Sequence, residues 1–155
     1  MGILDVVVGL VLLPSVLMDS LTQRPVDFEP VHTSIAGHPF ILYIADTPTK
    51  WQHGFKGKEV ADNEAMLFVF PKNGLKTFWM KDTTTPLDIV FLDEHLQVLD
   101  IVDAAQPCKF ICKPYLAKGK YVLEFKSGVA ERIGLSKGDS VTISLPSLQI
   151  PGLSS

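Results

Sequence analysis

The sequence predicts a mainly β fold: a small barrel, closed or nearly so, of about seven or eight short strands with one or two short helices, extended by an apolar N-terminal arm. Three observations lead there. Short runs of aromatic and β-branched residues recur at close spacing, with Gly, Pro, Asn and Asp between them. The central run Phe78-Trp79-Met80-Lys81-Asp82-Thr83-Thr84-Thr85-Pro86-Leu87-Asp88-Ile89-Val90-Phe91-Leu92-Asp93 holds two apolar stretches joined by a Thr-Thr-Thr-Pro bend. Within it, Ile89 to Leu92 has no polar member, the pattern of a strand covered on both faces. Finally, 155 residues suffice for one domain with its own core and fall short of two.

Taken in order, residues 1–30 are an apolar arm and its linker, residues 31–146 the barrel, and residues 147–155 a tail rich in Pro, Ser and Gly. The arm, Met1 to Leu21, is apolar on every side and carries Ile3, Val7, Leu10, Leu13 and Leu17 among its large aliphatics. A secretory signal would show a basic start and a small-x-small cleavage site, yet Asp5 stands where a base belongs and Arg24 is the first basic residue. The run Val6 to Leu13 is far short of the roughly 20 residues that cross a bilayer, and Pro14 interrupts it. No membrane span is expected. The plain expectation is a tail packed on its own domain; the sharper one is an arm that docks on another subunit.

Pro25 and Pro30 mark an extended linker. Val31 to Ile35 and Phe40 to Ala45 read as paired strands around Ala36-Gly37-His38-Pro39. Thr47 caps a short helix with Pro48 at its first position, and Gly54 ends it. Met66 to Phe70 is a strand, Pro71-Lys72-Asn73-Gly74 a loop, and Thr77 to Lys81 and Leu87 to Leu92 are strands on either side of the bend. Leu96 to Asp103 alternates imperfectly as another covered strand. Ala104 to Gly119, with Pro107 and Pro114, reads as a long surface loop of the kind that often carries function. Tyr121 to Lys126 is a strand, Ser127 caps a helix from Gly128 to Ile133, and Val141 to Leu145 completes the sheet.

The central run, with Gly54-Phe55-Lys56-Gly57 and Met66-Leu67-Phe68-Val69-Phe70 before it and Pro107-Cys108, Cys112, Tyr115, Tyr121-Val122-Leu123-Glu124 and Gly134-Leu135-x-x-Gly138-Asp139 after it, resembles the domain-of-unknown-function 192 family over about Ile41 to Leu145. The resemblance implies a small β-barrel with little helix and brings no established reaction. The chain departs from that family's usual pattern at Asp82, where Asn is common, at Ala65, where Gly is common, and at Phe55-Lys56, where a Leu-Met pair is common.

Charge and motifs narrow the function classes. A formal net charge of −3 without a run of Lys or Arg leaves no nucleic-acid footprint and no polybasic segment for anionic lipid. There is no nucleophile elbow, no Gly-rich phosphate loop and no dinucleotide fingerprint, and no cofactor is expected. Cys108 and Cys112, four apart between prolines, are compatible with a disulfide if the loop folds back, with free thiols, and least with a metal, which lacks two further ligands. The four scattered histidines form no ligand set, so no metal site is expected.

The candidate ligand-binding residues are Trp79, Lys81, Asp82, Asp88, Tyr115 and Glu124, expected at a barrel mouth where the carboxylates could converge for general acid and base work. The plainer alternatives are an ion pair of Lys81 with Asp88 and aromatics that serve as core. Two functions follow. The favoured expectation is a structural or interaction module, more a scaffold than an enzyme, whose arm docks on protein subunits of a larger homo-oligomeric assembly, decoration or cementing of a viral capsid being one form. The alternative is an extracytoplasmic small-molecule or carbohydrate-binding module or hydrolase. The compartment follows the arm: a virion or other assembly if it docks, outside the cytoplasm if it is a degenerate signal.

Overall fold

The computed structural model describes residues 25–145, so the arm with Ile3, Val7, Leu10, Leu13 and Leu17, and the tail 147–155, lie outside the described residues. In chain order the elements are β1 (Val31–Ile35), β2 (His38–Ala45), α1 (Pro48–His53), β3 (Glu64–Phe78), β4 (Leu87–Leu92), β5 (Val98–Ala105), β6 (Tyr115–Lys126), α2 (Val129–Arg132) and β7 (Ile143–Ser144). The strands form one sheet in the order β5-β4-β6-β3-β2-β1-β7. It curls into a half-barrel. Its edges approach through the segment before β7: Gln97 and Ser140 form an antiparallel bridge, Val98 N–H donates to Asp139 O, and Val141 N–H donates to Leu96 O.

Local chemistry explains most of these elements. The β1–β2 turn is only Ala36-Gly37, with φ of 49° and 81°, the left-handed pair that a two-residue hairpin requires. His38 and Pro39 therefore belong to β2 and pair with Ile35 and Ser34. Thr47 accepts a hydrogen bond from Lys50 N–H at 3.4 Å, Pro48 opens α1, and Gly54 closes it at φ 52°. The helix links β2 to β3, which run parallel.

Two expected boundaries differ. β3 is one strand of 15 residues instead of two strands around a loop; its pairing with β6 breaks only between Val69 and Gly74, where exposed Pro71, lacking an N–H, costs no ladder bond. β6 correspondingly begins at Tyr115, because Tyr115 to Gly119 pair with Phe78 to Gly74, so the long surface loop is confined to residues 106–114. The second helix also differs. Gly128, in the left-handed region, is its cap residue and no side chain caps it locally; the buried carboxylate of Asp88, 40 residues earlier, accepts from Gly128 N–H instead of Ser127 doing so.

Two apolar clusters lie on opposite faces of the sheet. The first joins Ile35, Leu42, Leu67, Val90, Val98 and Leu123 with Val129 and Ala130 of α2 and Val141, and Ile143 packs on it. It draws on all seven strands, so it fills the space the curl encloses. The second joins Met66, Phe68, Ile89, Phe91 and Val122 with Phe55, Val60, Phe78 and Met80, which cover the outer face. β4, buried at every position, touches both, as its unbroken apolar run implies. The covering segment is held by the Thr bend: Val60 N–H donates to Thr85 Oγ1 at 3.1 Å, and Thr84 Oγ1 donates to Lys58 O at 3.0 Å.

Candidate functional site

On the outer face, α1 and the turn after it stand over β3 and β6 and enclose a pocket of about 240 Å³. Trp51, Phe68, Phe70 and Phe78 wall it, Trp79, Lys56 and Lys81 stand at its edge, and Glu124 reaches it from β6. The walls are locked in place. Trp51 donates its indole N–H to Ala45 O at 2.9 Å and packs on Phe70 with ring centroids 4.9 Å apart, and Phe68 meets Phe78 edge to face at 4.9 Å. Gly54 matters here. At φ 52° it sits so near Phe68 and the Glu124 carboxyl that an added methyl would contact both, at 3.6 and 4.0 Å.

Glu124 is 5% exposed, and none of the hydrogen bonds or ion pairs among the described residues engages its carboxyl. Burial among apolar neighbours pushes its pKa up to about 8, which favours the neutral acid at pH 7. A neutral carboxyl offers one donor and one acceptor to a ligand. It contrasts with Glu64, also buried, where desolvation is outweighed by hydrogen bonds from Ala61 N–H, Tyr43 and Lys58, which hold its carboxyl below the usual range. Glu64 is held by protein donors; the Glu124 carboxyl turns to the pocket.

Of the residues singled out from the sequence, the structure brings together Trp79, Lys81 and Glu124. It does not bring Asp88 to them. Asp88 pairs with Phe125 and Glu124 with Ile89, and since successive residues of a strand face opposite ways, the two carboxylates lie on opposite faces. Nor does Asp88 pair with Lys81: at 2% exposure its Oδ1 accepts from Ala104 N–H, and its Oδ2 accepts from Gly128 N–H and Ala130 N–H. Asp82 is exposed at φ 62°, and its backbone ties to Cys108 O and Gly57 N–H. Tyr115 packs at the edge of the outer cluster with Lys113 over its ring. The site thus sits on the outer face, not at a barrel mouth, and holds one carboxyl.

Cys108 and Cys112 form a disulfide, their Cα atoms 5.6 Å apart in a folded loop. Cys108 bridges Lys81 across the backbone, which fixes that loop to the end of β3. Among the described residues no group of three or more His, Cys, Asp or Glu could hold a metal ion, and no helix is long and apolar enough to cross a membrane. Trp51, His53, Phe68 and Phe70 were not among the residues singled out, although all line the pocket. Their signal was faint. A short helix ending in Gly ahead of an aromatic strand is also what ordinary core packing produces.

A half-barrel of seven strands with a roofed outer face is the class of small β protein that this geometry defines. The chain belongs to the DUF192 family, described as "Uncharacterized ACR, COG1430", whose model matches residues 31–143. It is similar to the crystal structure of a protein from Sinorhizobium meliloti 1021 described as a "putative transcription regulator", with 26% identity, a TM-score of 0.67, and coverage of 77% of this chain and 97% of that one. It is similar also to a protein of unknown function from Novosphingobium aromaticivorans DSM 12444, with 32% identity, a TM-score of 0.63, and coverage of 77% and 89%. No curated protein matches the chain.

Proposed function

We propose that the protein is a small-molecule-binding module whose pocket on the outer face takes a neutral, hydroxyl- or amide-bearing ligand such as a sugar ring. One observation carries this: Glu124 is only 5% exposed, its carboxyl takes part in none of the hydrogen bonds among the described residues, and it reaches an aromatic-walled pocket. A nearly buried carboxyl that reaches only the pocket is free to hydrogen-bond a ligand group held there, a bond worth about 1 kcal/mol or more. The aromatic walls suit the apolar face of a sugar, and Trp79 at the edge can stack on it. A single carboxyl supports binding over glycoside hydrolysis, whose usual form needs two. The disulfide supports a place outside the reducing cytoplasm.

Calorimetry and tryptophan fluorescence against a panel of neutral saccharides and amides test this. A binder should perturb the fluorescence and lose at least about tenfold in affinity in Glu124→Leu, which removes the hydrogen bonds, and less in Glu124→Gln. A panel that leaves both signals unchanged, or a ligand bound equally by Glu124→Leu, counts against the proposal. The assembly role stands on residues 1–21, whose twelve large aliphatic residues favour docking on another subunit.

A further inference from the structure

The large apolar side chains exposed among the described residues are Leu75, Trp79, Phe110, Ile111 and Leu116. All five lie on one arm of the molecule: the outer half of the β3–β6 ladder and the loop that leads into it. Register places them. Thr77 pairs with Leu116 and Leu75 with Lys118, so Leu75, Thr77 and Trp79 share their exposed face with Leu116 and Lys118. Phe110 and Ile111, 94% and 97% exposed, form the tip of the loop closed by Cys108–Cys112, which the Lys81–Cys108 bridge holds beside Trp79. Two adjacent large apolar residues held out in water by a covalent clamp have no role in the core.

The charge on this arm has one sign. From Ala104 to Leu123 the chain carries Lys109, Lys113, Lys118 and Lys120 and no Asp or Glu, and from Ala65 to Lys81 it carries Lys72, Lys76 and Lys81 and again no acid. The ion pairs among the described residues use Lys50, Lys58, Lys126, Arg132 and Lys137, none of them on this arm. The acids that flank these two stretches in the chain are Glu64 and Asp82, and Asp103 and Glu124; of these Glu64 and Glu124 are buried, and Asp82 lies at the loop end. The local lysines stand out against a chain of net charge −3. They escape a search for basic runs because they are dispersed along the sequence and gathered only by pairing of β3 with β6.

We infer that this arm docks on the surface of an anionic phospholipid bilayer, with Phe110 and Ile111 entering the acyl boundary and Lys81, Lys109, Lys113 and Lys118 meeting the headgroups. Exposed aromatic and aliphatic side chains beside several lysines, with Asp82 as the exposed carboxylate at the loop's base, match an interface that is apolar below and negative above. An acidic protein surface would account for the lysines, but not for an apolar tip that projects beyond the sheet into solvent. Such docking does not depend on what the Glu124 pocket binds.

Sedimentation of the full chain with vesicles of phosphatidylcholine, alone or mixed with phosphatidylglycerol, tests this. The parent should sediment with the mixed vesicles, should do so weakly with phosphatidylcholine alone, and should be released by salt. Phe110→Ser with Ile111→Ser should reduce the partition coefficient at least about tenfold. Lys109→Glu with Lys113→Glu should reduce it about fivefold or more for each lysine and abolish the preference for the anionic lipid. Both variants should keep the parent's circular dichroism and melting, because the altered side chains face solvent. A parent that stays in the supernatant with mixed vesicles overturns the inference, whether or not it self-associates or captures an acidic protein. So does a Phe110→Ser, Ile111→Ser chain that sediments as well as the parent, since another part of the chain then carries the binding.

Discussion

Asp88 and Glu124 sit on neighbouring strands one register step apart, both nearly removed from water, and their surroundings give them opposite chemistry. Asp88 collects three backbone N–H donors; Glu124 meets aromatic rings and a glycine. The second environment has a consequence for pH. Folded Glu124 keeps its proton up to about pH 8, whereas the unfolded chain releases it near 4.5. Below 4.5 both states are protonated; between the two values the unfolded state binds fewer protons, so stability falls as pH rises and levels off above 8. Glu124→Gln lacks this dependence. Urea unfolding of parent and variant at a series of pH values should show the variant gaining on the parent through that window, by on the order of 5 kcal/mol if the whole shift is expressed. Parallel pH profiles would mean that the carboxyl is ionised or solvated in the folded state.

Among the elements, those specified by neighbouring residues were legible and those specified by distant ones were not. Thr47-Pro48 and Gly54 delimit α1 by local capping, and the apolar run of β4 announces two covered faces. The start of β6 could not be read, since Tyr115 to Gly119 follow Pro114 directly, end in Gly, and become a strand only by pairing with Gly74 to Phe78. The α2 cap failed for the same reason: Ser127 is the nearest hydroxyl, but the donors are met by Asp88 from another strand. The site followed suit. Trp79, Lys81 and Glu124 were legible as polar or aromatic residues in strands, but which face each carboxylate occupies depends on registers that a one-residue shift reverses. Asp88→Ala should therefore cost about 3–5 kcal/mol in urea unfolding, leaving three N–H groups without their acceptor and loosening α2 and the end of β5 together. Asp88→Asn, which keeps one acceptor oxygen, should cost less. If both cost under 1 kcal/mol, roughly the worth of one ordinary hydrogen bond, water replaces the carboxylate and its role is dispensable.

At the scale of the whole molecule, the buried cores and the pocket are assembled from described residues, while the most apolar stretch of the sequence lies before them. Among the described residues, the enclosed cluster draws on every strand, and the outer cluster is roofed by Phe55, Val60, Phe78 and Met80. A chain lacking residues 1–24 should then fold with the parent's circular dichroism and with a urea-unfolding free energy within about 1 kcal/mol, a difference typical of changes that leave the core intact. The twelve large aliphatic side chains of residues 1–21 can contribute on the order of 10 kcal/mol when partly buried, before the entropy of ordering them is subtracted. An arm that docks on a neighbouring subunit therefore makes assembly strong and separable from folding. Sedimentation velocity of both chains distinguishes the cases: the parent should be oligomeric and the truncated chain monomeric. Unfolding of the truncated chain would instead make the arm part of the core, and a parent that is itself monomeric would remove assembly from the protein's function and leave the Glu124 pocket as its principal site.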